Sequence, residues 1–363
     1  MTEGSVFLKN GGFLQLEEIP VLPVQAFRSA GLEEIGKGRH IAAFFGLPLF
    51  DEKGSSESRT EAAAFLAKEK KREKKARLFL CLAGEEDQKI LVFSTVVEKS
   101  YPALSCDCPA AALFEREIKE QLDIFPENHP WLKPLREEAS FYFSPQVSTG
   151  PSLRLNRITE PASFRFFQLE SNEAHEVAVG PVHAGIIEPG HFRFQCFGEK
   201  VLNLEIALGF QHRGVEKALI GGPKARSLAY LQTAAGDTTI GHTLAYCQAL
   251  EALGGLEVPF RALALRILML ELERLANHTG DLGALAGDIG FLPTASFCGR
   301  LRGDFLNLSA EVCGSRFGRE MLFPGGVFFD LDEALRKDLL TRLKTITGEP
   351  LMPFPFYGGA LWF

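Results

Sequence analysis

Apolar and polar residues alternate from His191 to Cys196 and again from Val201 to Leu208, on either side of Phe197-Gly198-Glu199-Lys200. A period of two interrupted by a short glycine turn predicts an antiparallel hairpin. A second pair of strands is predicted at Arg77 to Ala83 and Lys89 to Val97, apolar runs separated by the turn-like Gly84-Glu85-Glu86-Asp87. Elsewhere the spacing is helical. Leu113, Ile118 and Leu122 predict a helix within Pro109 to Arg136, stopped by Pro126. Arg226 to Ala235 and Thr238 to Leu253 read as two more helices, with Asp237 or Thr238 placed to cap the second. Val258 to Leu285 reads as a long helix or a pair of helices, its buried stripe formed by Leu263, Ile267, Leu270, Leu275 and Leu282. Asp330 to Thr345 completes the series as an amphipathic helix.

Between about Asp51 and Lys75 the chain is polar and then Lys-rich, which predicts a solvated helix. Ser144 to Pro161, with its Ser, Pro and Gly, reads as a linker between two bodies. With 363 residues, 46% hydrophobic and 23% charged, the chain is long enough for two or three domains with real cores. A formal charge of -7 argues against a nucleic-acid partner, which needs a basic surface. The seven cysteines include no C-x-x-C pair, and the first ten residues lack a charged-then-apolar leader, so a reducing cytoplasm is expected. Cys106-Asp107-Cys108 is too close-set and isolated for a metal site. The most apolar run, Ala262 to Leu272, contains Arg266 and Glu271 and is too short to span a bilayer, so membrane association is expected to go through partners.

Candidate chemistry gathers just before the predicted hairpin. Gly180, Pro181, Gly185, Pro189 and Gly190 break up His183, Glu188 and His191, which places these side chains on an irregular loop held by a rigid element. Taken singly, each also reads as a hydrated loop residue. The wider pattern is Gly-Pro-x-His, then Glu188-x-Gly-His191-x-Arg193, a Gly-Glu turn, and His212-Arg213-Gly214-x-Glu216-Lys217. It resembles the opening of the large subunit of membrane-bound, energy-converting nickel-iron hydrogenases of the formate hydrogenlyase type, and of the 49 kDa (D) subunit of NADH-quinone oxidoreductase, complex I. Pro109 to Arg136 resembles the signature segment of the 30 kDa (C) subunit. Arg266, Glu271, Arg274 and His278 match the family's long central helix, where ion pairs between helices would fix registry. The Cys313 to Met321 stretch and Pro324-Gly325-Gly326-Val327 match a later turn, although Phe323 replaces the usual arginine.

The resemblance implies an α+β fold: an α/β 30 kDa-like domain at 1–143, a linker at 144–165, and a hairpin-led, mainly helical large-subunit-like domain at 166–363. It also implies that the family's last third is absent, either carried on another chain or lost by truncation. Under the alignment, Ala235-Gly236-Asp237-Thr238 stands where a hydrogenase carries Cys-Gly-Ile-Cys, and no cysteine follows Cys313. A methyl group and an alcohol cannot replace bridging thiolates, so no nickel is expected. The quinone-binding tyrosine falls on Gly236, the quinone-binding histidine on Ile187 or Pro189, and Gln232-Thr233 replaces a charged lead-in. His191 could reach the same space.

Glu188 matches the hydrogenases' proton-passing glutamate, His242 matches a histidine after the first cysteine pair, and Asp237 adds an acid where a ligand is lost. Glu188, His191, His242 and Asp237 are therefore the candidate catalytic groups, expected around one cavity. His183, His212 and Arg213 are the candidate cofactor-binding groups. The expected function is the large subunit of an electron-transfer complex that couples redox change to proton movement without nickel. No cofactor is assigned to the chain itself beyond a possible quinone. Expected partners are an iron-sulfur small subunit, an integral membrane subunit and a ferredoxin-like subunit, with the chain peripheral on the cytoplasmic face of the membrane. A non-catalytic scaffold and an inactive fragment are the alternatives.

Overall fold

The computed structural model describes residues 5–49, 75–133, 135, 167–169, 171, 173–182 and 189–348. They fall into two compact units, one comprising the described residues up to His212 and the other those from Arg213 onward. Helices and sheets are mixed, as the α+β expectation required. The Lys-rich segment up to residue 74, the Ser144 to Pro161 stretch, His183, Glu188 and residues 349–363 lie outside the described residues.

The first unit begins with β1 (Val6–Lys9), β2 (Val21–Leu22), α1 (Val24–Gly36) and β3 (His40–Pro48). The expected strand pair follows as β4 (Ala76–Ala83) and β5 (Lys89–Val97), joined through Gly84 to Gln88 and antiparallel from Ala76 opposite Val97 to Ala83 opposite Ile90. The sheet order is β1-β5-β4-β3, and β2 adds a short parallel pairing to β5. Leu78, Leu80 and Leu82 of β4 are fully buried with Phe27 of α1 and Phe93 of β5, whose rings meet edge to face at 5.4 Å. Side chains of this size contribute roughly 1.5–3 kcal/mol each on burial, so the alternation in β4 accounts for much of this core.

After β6 (Ser100–Pro102), α2 (Ala112–Leu122) buries Ile118 and Leu122 but leaves Leu113 57% exposed, so Leu113 does not belong to the apolar face. Nor does Pro126 end this helix. Asp123 adopts a left-handed conformation (φ 55°) and its N–H donates to the Lys119 carbonyl, closing the turn three residues earlier. Pro126 instead sits within β7 (Phe125–Glu127), paired in parallel with β6. The resemblance-bearing Glu115 and Arg116 have clear structural work. The buried Glu115 carboxylate accepts the N–H groups of Leu104 (2.7 Å) and Ser105 (3.1 Å). Arg116 donates to the Lys133 carbonyl (2.6 Å) and lies over the Trp131 ring (4.9 Å).

The expected hairpin is present as β9 (Gly190–Phe197) and β10 (Lys200–Ala207), with Gly198 at φ +57° in its two-residue turn. A third strand that the sequence pattern did not announce, β8 (His175–Val182), pairs antiparallel with β9.

The second unit is helical: α3 (Val215–Leu219), α4 (Ser227–Gln232), α5 (Thr239–Gly254), α6 (Phe260–Asp288), α7 (Leu292–Cys313) and α8 (Glu333–Gly348), with a small hairpin of β11 (Leu322–Phe323) and β12 (Gly326–Val327) before α8. α6 is one continuous helix of 29 residues. Its buried face follows the expected leucine stripe only in part: Leu270 and Leu275 pack against the core, but Leu263 and Ile267 are 40% and 48% exposed. The fully buried positions are Ala262, Leu265, Arg266, Met269, Leu272, Glu273, Ala276, Gly280 and Ala286. Small side chains on this face let the helices approach closely, and a Cβ on Gly283 would stand 3.0 Å from the Cβ of Cys298 on α7.

The expected registry ion pair exists with a different partner. Arg266 forms a bidentate pair with Glu251 of α5 (2.6 and 3.1 Å), both side chains being buried. The same guanidinium donates to the Phe323 carbonyl (2.8 Å) and the Gly326 carbonyl (3.1 Å), while Glu251 accepts the Gly325 N–H (2.6 Å). Burial alone would raise the Glu251 carboxyl, but Arg266 and the Gly325 N–H outweigh it and hold Glu251 below its ordinary range. Glu271 and Arg274 pair with each other on the helix surface (3.1 Å).

Candidate functional site

The segment between α4 and α5, where the sequence places Ala235-Gly236-Asp237-Thr238, is held by three side chains remote from it in sequence. Arg213 reaches the end of α4 and donates to the carbonyls of Thr233 (2.5 Å) and Ala234 (3.1 Å), groups left open by the helix terminus. On α6, Asn277 donates to the Asp237 carbonyl (3.3 Å). One turn earlier on the same helix, the Glu273 carboxylate accepts the Ile240 N–H (2.6 Å) and the Gly241 N–H (2.9 Å).

Those two amides belong to the first turn of α5 and have no partner within the helix. The sequence suggested Asp237 or Thr238 as the cap, yet Thr238 occupies the N-cap position without a side-chain hydrogen bond to the helix. Glu273 takes that role from 33 and 32 residues away. No local pattern could announce it. The available signal was an acid at Glu273 on the same face as Met269, Leu272 and Ala276. Thr239 adds a link between the two helices, its hydroxyl donating to the Gln232 carbonyl (3.0 Å).

Glu273 is buried, and that burial pushes its carboxyl above the ordinary glutamate range. The Gly241 and Ile240 N–H groups pull the other way, and the charge of Asp237 adds to the rise. Asp237, Asn277 and Glu273 line a void of about 10 Å³, near the smallest space that admits a water molecule. Ser309, Arg316 and Phe317 also line it.

His242 lies elsewhere on α5. With Tyr246, one turn along, it lines an open cleft of about 340 Å³ whose other walls include Leu219, Pro223, Ser227 and Leu231. Neither the His242 ring nor the Tyr246 hydroxyl hydrogen-bonds to a described residue. Asp237 and His242 thus face separate recesses among the described residues, not the one cavity expected of them.

His191 belongs to the first unit. Its Nδ1 lies 3.1 Å from the Gly180 carbonyl, and its Nε2 accepts from Arg193 Nε (3.0 Å). A carbonyl can only accept and a guanidinium can only donate, so these contacts suit an Nδ1–H tautomer with both nitrogens engaged. Arg193 in turn pairs with Glu176, which also accepts from Gln195 (2.9 Å). His191 therefore cannot donate from Nε2 to a ligand while Arg193 is in place. His212 sits in a turn where its N–H donates to the Gly209 carbonyl (3.0 Å). Arg213 is engaged with the Thr233 and Ala234 carbonyls.

The donor set at residues 235–238 is a methyl group, a hydrogen, a carboxylate and a hydroxyl, which does not fit a thiolate-bridged nickel–iron pair. Burial pushes the Cys247 thiol up to about 11 and raises Cys298 and Cys313 as well. Among the described residues, no group of three or more His, Cys, Asp or Glu side chains is arranged to hold a metal ion. No described helix is long and apolar enough to cross a membrane.

No protein-family model matches the chain. Among curated proteins, it is 29% identical over 283 residues to Hydrogenase-4 component G of Escherichia coli (strain K12), covering 74% of this chain and 49% of that protein. It is 29% identical over 305 residues to the C/D 2 component of the NADH-quinone oxidoreductase of Aquifex aeolicus (strain VF5), covering 74% and 52%. It is 35% identical over 166 residues to the D component of the NADH-quinone oxidoreductase of Clostridium beijerinckii, covering 46% and 45%. Among solved structures, a chain of the membrane-bound sulfane sulfur reductase, an archaeal respiratory membrane complex, is 25% identical with a TM-score of 0.44, covering 49% of this chain and 48% of that one. The chain spans about half the length of the curated relatives it matches. Its homologues are large subunits of membrane-bound hydrogenases and the 49 kDa-type or fused components of NADH-quinone oxidoreductase, as the sequence motifs implied.

Proposed function

From this homology we propose that the chain is the large subunit of a membrane-associated electron-transfer complex that couples redox change to proton movement and holds no nickel–iron pair at residues 235–238. The observation that carries the reading is the Thr233 to Gly241 segment. Its backbone is fixed by Arg213, Asn277 and Glu273, while the side chains it presents are not metal-binding thiolates. In place of thiolates the segment offers Asp237, beside a buried carboxyl already biased toward its protonated form. Carboxyl groups in such surroundings suit proton transfer near neutral pH.

The proposal includes a division into a 30 kDa-like part at 1–143, a linker at 144–165 and a large-subunit-like part at 166–363. Its partners would be an iron-sulfur small subunit, a ferredoxin-like subunit and an integral membrane subunit, with the chain peripheral on the cytoplasmic face. Glu188 and His242 would serve the proton route, His191 joining them only where Arg193 releases its Nε2, and a quinone is the candidate acceptor. A scaffold role without turnover is the second reading, favoured by the commitment of Arg213, Asn277 and Glu273 to backbone groups.

The test is to purify the chain with its native partners and measure metal content and acceptor-dependent oxidation. The expected result is iron from the partner subunit, nickel far below one per chain, and turnover that falls in Asp237→Asn. Stoichiometric nickel would overturn the reading, and an intact complex without turnover would favour the scaffold.

A further inference from the structure

We propose that Glu273 is a positioning residue through which proton uptake is transmitted to the Ala235–Thr238 segment: as a carboxylate it holds the first turn of α5, and on gaining a proton it loosens that hold. The use of this device in turnover rests on the proton-coupled function proposed above. Its existence as a titrating cap does not.

Geometry carries the inference. Both carboxylate oxygens accept amide hydrogens, Oε2 from Ile240 and Oε1 from Gly241. The packing is close at Gly241, where a Cβ would stand 3.2 Å from the Thr238 methyl and 3.4 Å from Oε1. Asn277 fastens the Asp237 carbonyl from the same face of α6, so one helix face holds both sides of the Thr238 cap position. The one-water void lies against the carboxyl and gives an incoming proton a place to arrive.

When a proton adds to one oxygen, that oxygen becomes a hydroxyl. It is then a weaker acceptor for its amide, and the new O–H must itself find an acceptor. The charged groups around the void are Asp237, ahead of α5, and Arg316, from the turn after α7; α7 itself contributes the uncharged Leu306 and Ser309. Arg316 also lies over the Phe317 ring (5.7 Å). Asp237 is the group that favours the protonated state by charge.

The decisive experiment follows the carboxyl C=O infrared band of the full chain across pH, together with amide exchange at Ile240 and Gly241 corrected for intrinsic rates. Wild type is expected to keep a protonated carboxyl band above the ordinary glutamate range, absent in Glu273→Gln. Protection at Ile240 or Gly241 should fall about tenfold as the band grows, the equivalent of one weakened hydrogen bond. Asp237→Asn, which keeps the cap, should move the band's midpoint to lower pH. An unchanged band in Glu273→Gln, or an unmoved midpoint in Asp237→Asn, would overturn the proposal. So would equal protection at both ends of the titration.

Should Glu273→Gln fail to fold, Asp237→Asn alone decides the matter. In the purified complex, a wild-type pH–rate profile in Glu273→Gln refutes the coupling and leaves the proposed function standing. A complex without proton-coupled turnover refutes that function and leaves the titrating cap.

Discussion

Replacing Glu251 by Gln removes one charge and almost no volume, which isolates the buried pair with Arg266. In the native protein Glu251 accepts two guanidinium N–H groups and the Gly325 N–H, and the two side chains are 8% and 1% exposed. The glutamine can still accept through its carbonyl, but its amide nitrogen turns a donor toward donors, and Arg266 is left charged without its counter-ion. Removing one partner of such a pair costs about 3–5 kcal/mol, and the retained acceptor places Glu251→Gln near 3 kcal/mol. Arg266→Met should cost more, because it also strips donors from the Phe323 and Gly326 carbonyls, each worth about 1–3 kcal/mol when left buried and unpaired. The Glu251→Met/Arg266→Met double variant should be less destabilised than the sum of its singles by at least about 2 kcal/mol.

The assay is urea unfolding of the full chain read by hydrogen exchange at α6 amides, so that the second unit is followed by itself. The sign of the pH dependence is fixed as well. Glu251 is held below its ordinary range, so its contribution is complete above the unfolded value and is lost as pH falls through the lower, folded value. The gap between wild type and Glu251→Gln should therefore narrow in acid. A cost below about 1 kcal/mol, or additive singles, would refute the account of the Arg266–Glu251 pair as the tie between α5, α6 and the β11–β12 hairpin.

Glu273 should behave in the opposite sense. Its folded value is raised, so it favours the folded state below its unfolded value and loses that contribution as pH rises, and Glu273→Gln should flatten this slope in thermal melts of the full chain. Gly318→Ala should cost about 2–4 kcal/mol in calorimetry, because φ is +67° and the new methyl carbon would lie 2.4 Å from Ile240 Cδ1. His242→Ala should leave the melting point within the shift expected for about 0.5 kcal/mol, since its ring has no hydrogen bond to a described residue. In the complex, the same variant should lower turnover at least about tenfold if the ring serves the proton route.

Local pattern revealed those parts of the fold whose cause is local. β4, β5, β9 and β10 combine alternation with turn residues, and all four run within a residue or two of their expected limits. β8 carries the same alternation in Val177 and Val179, but it runs through Gly180-Pro181, which reads as a turn and hid the strand. α6 was legible as a helix, whereas its buried face was legible only in part. Hydrophobicity pointed to Leu263 and Ile267, yet close packing chose Ala262, Ala276 and Gly280, with Arg266 and Glu273 drawn inward by partners on other elements.

The candidate site divides in the same way. Asp237 and Arg213 were identified as residues, but their surroundings depend on Glu273 and Asn277, far off in sequence. Glu251, the partner of Arg266, is likewise 15 residues away on a different helix. Long-range acids and amides meeting backbone groups leave no periodic trace.

The distance between Ile240 and Glu273 also imposes an order on synthesis. The start of α5 leaves the ribosome 33 residues ahead of the carboxylate that satisfies it, so a nascent chain carries that helix with an open end until about half of α6 has been made. A chain interrupted in that interval would present bare amides at the segment on which the proposed chemistry depends, and chaperone binding to stalled chains of graded length should peak there.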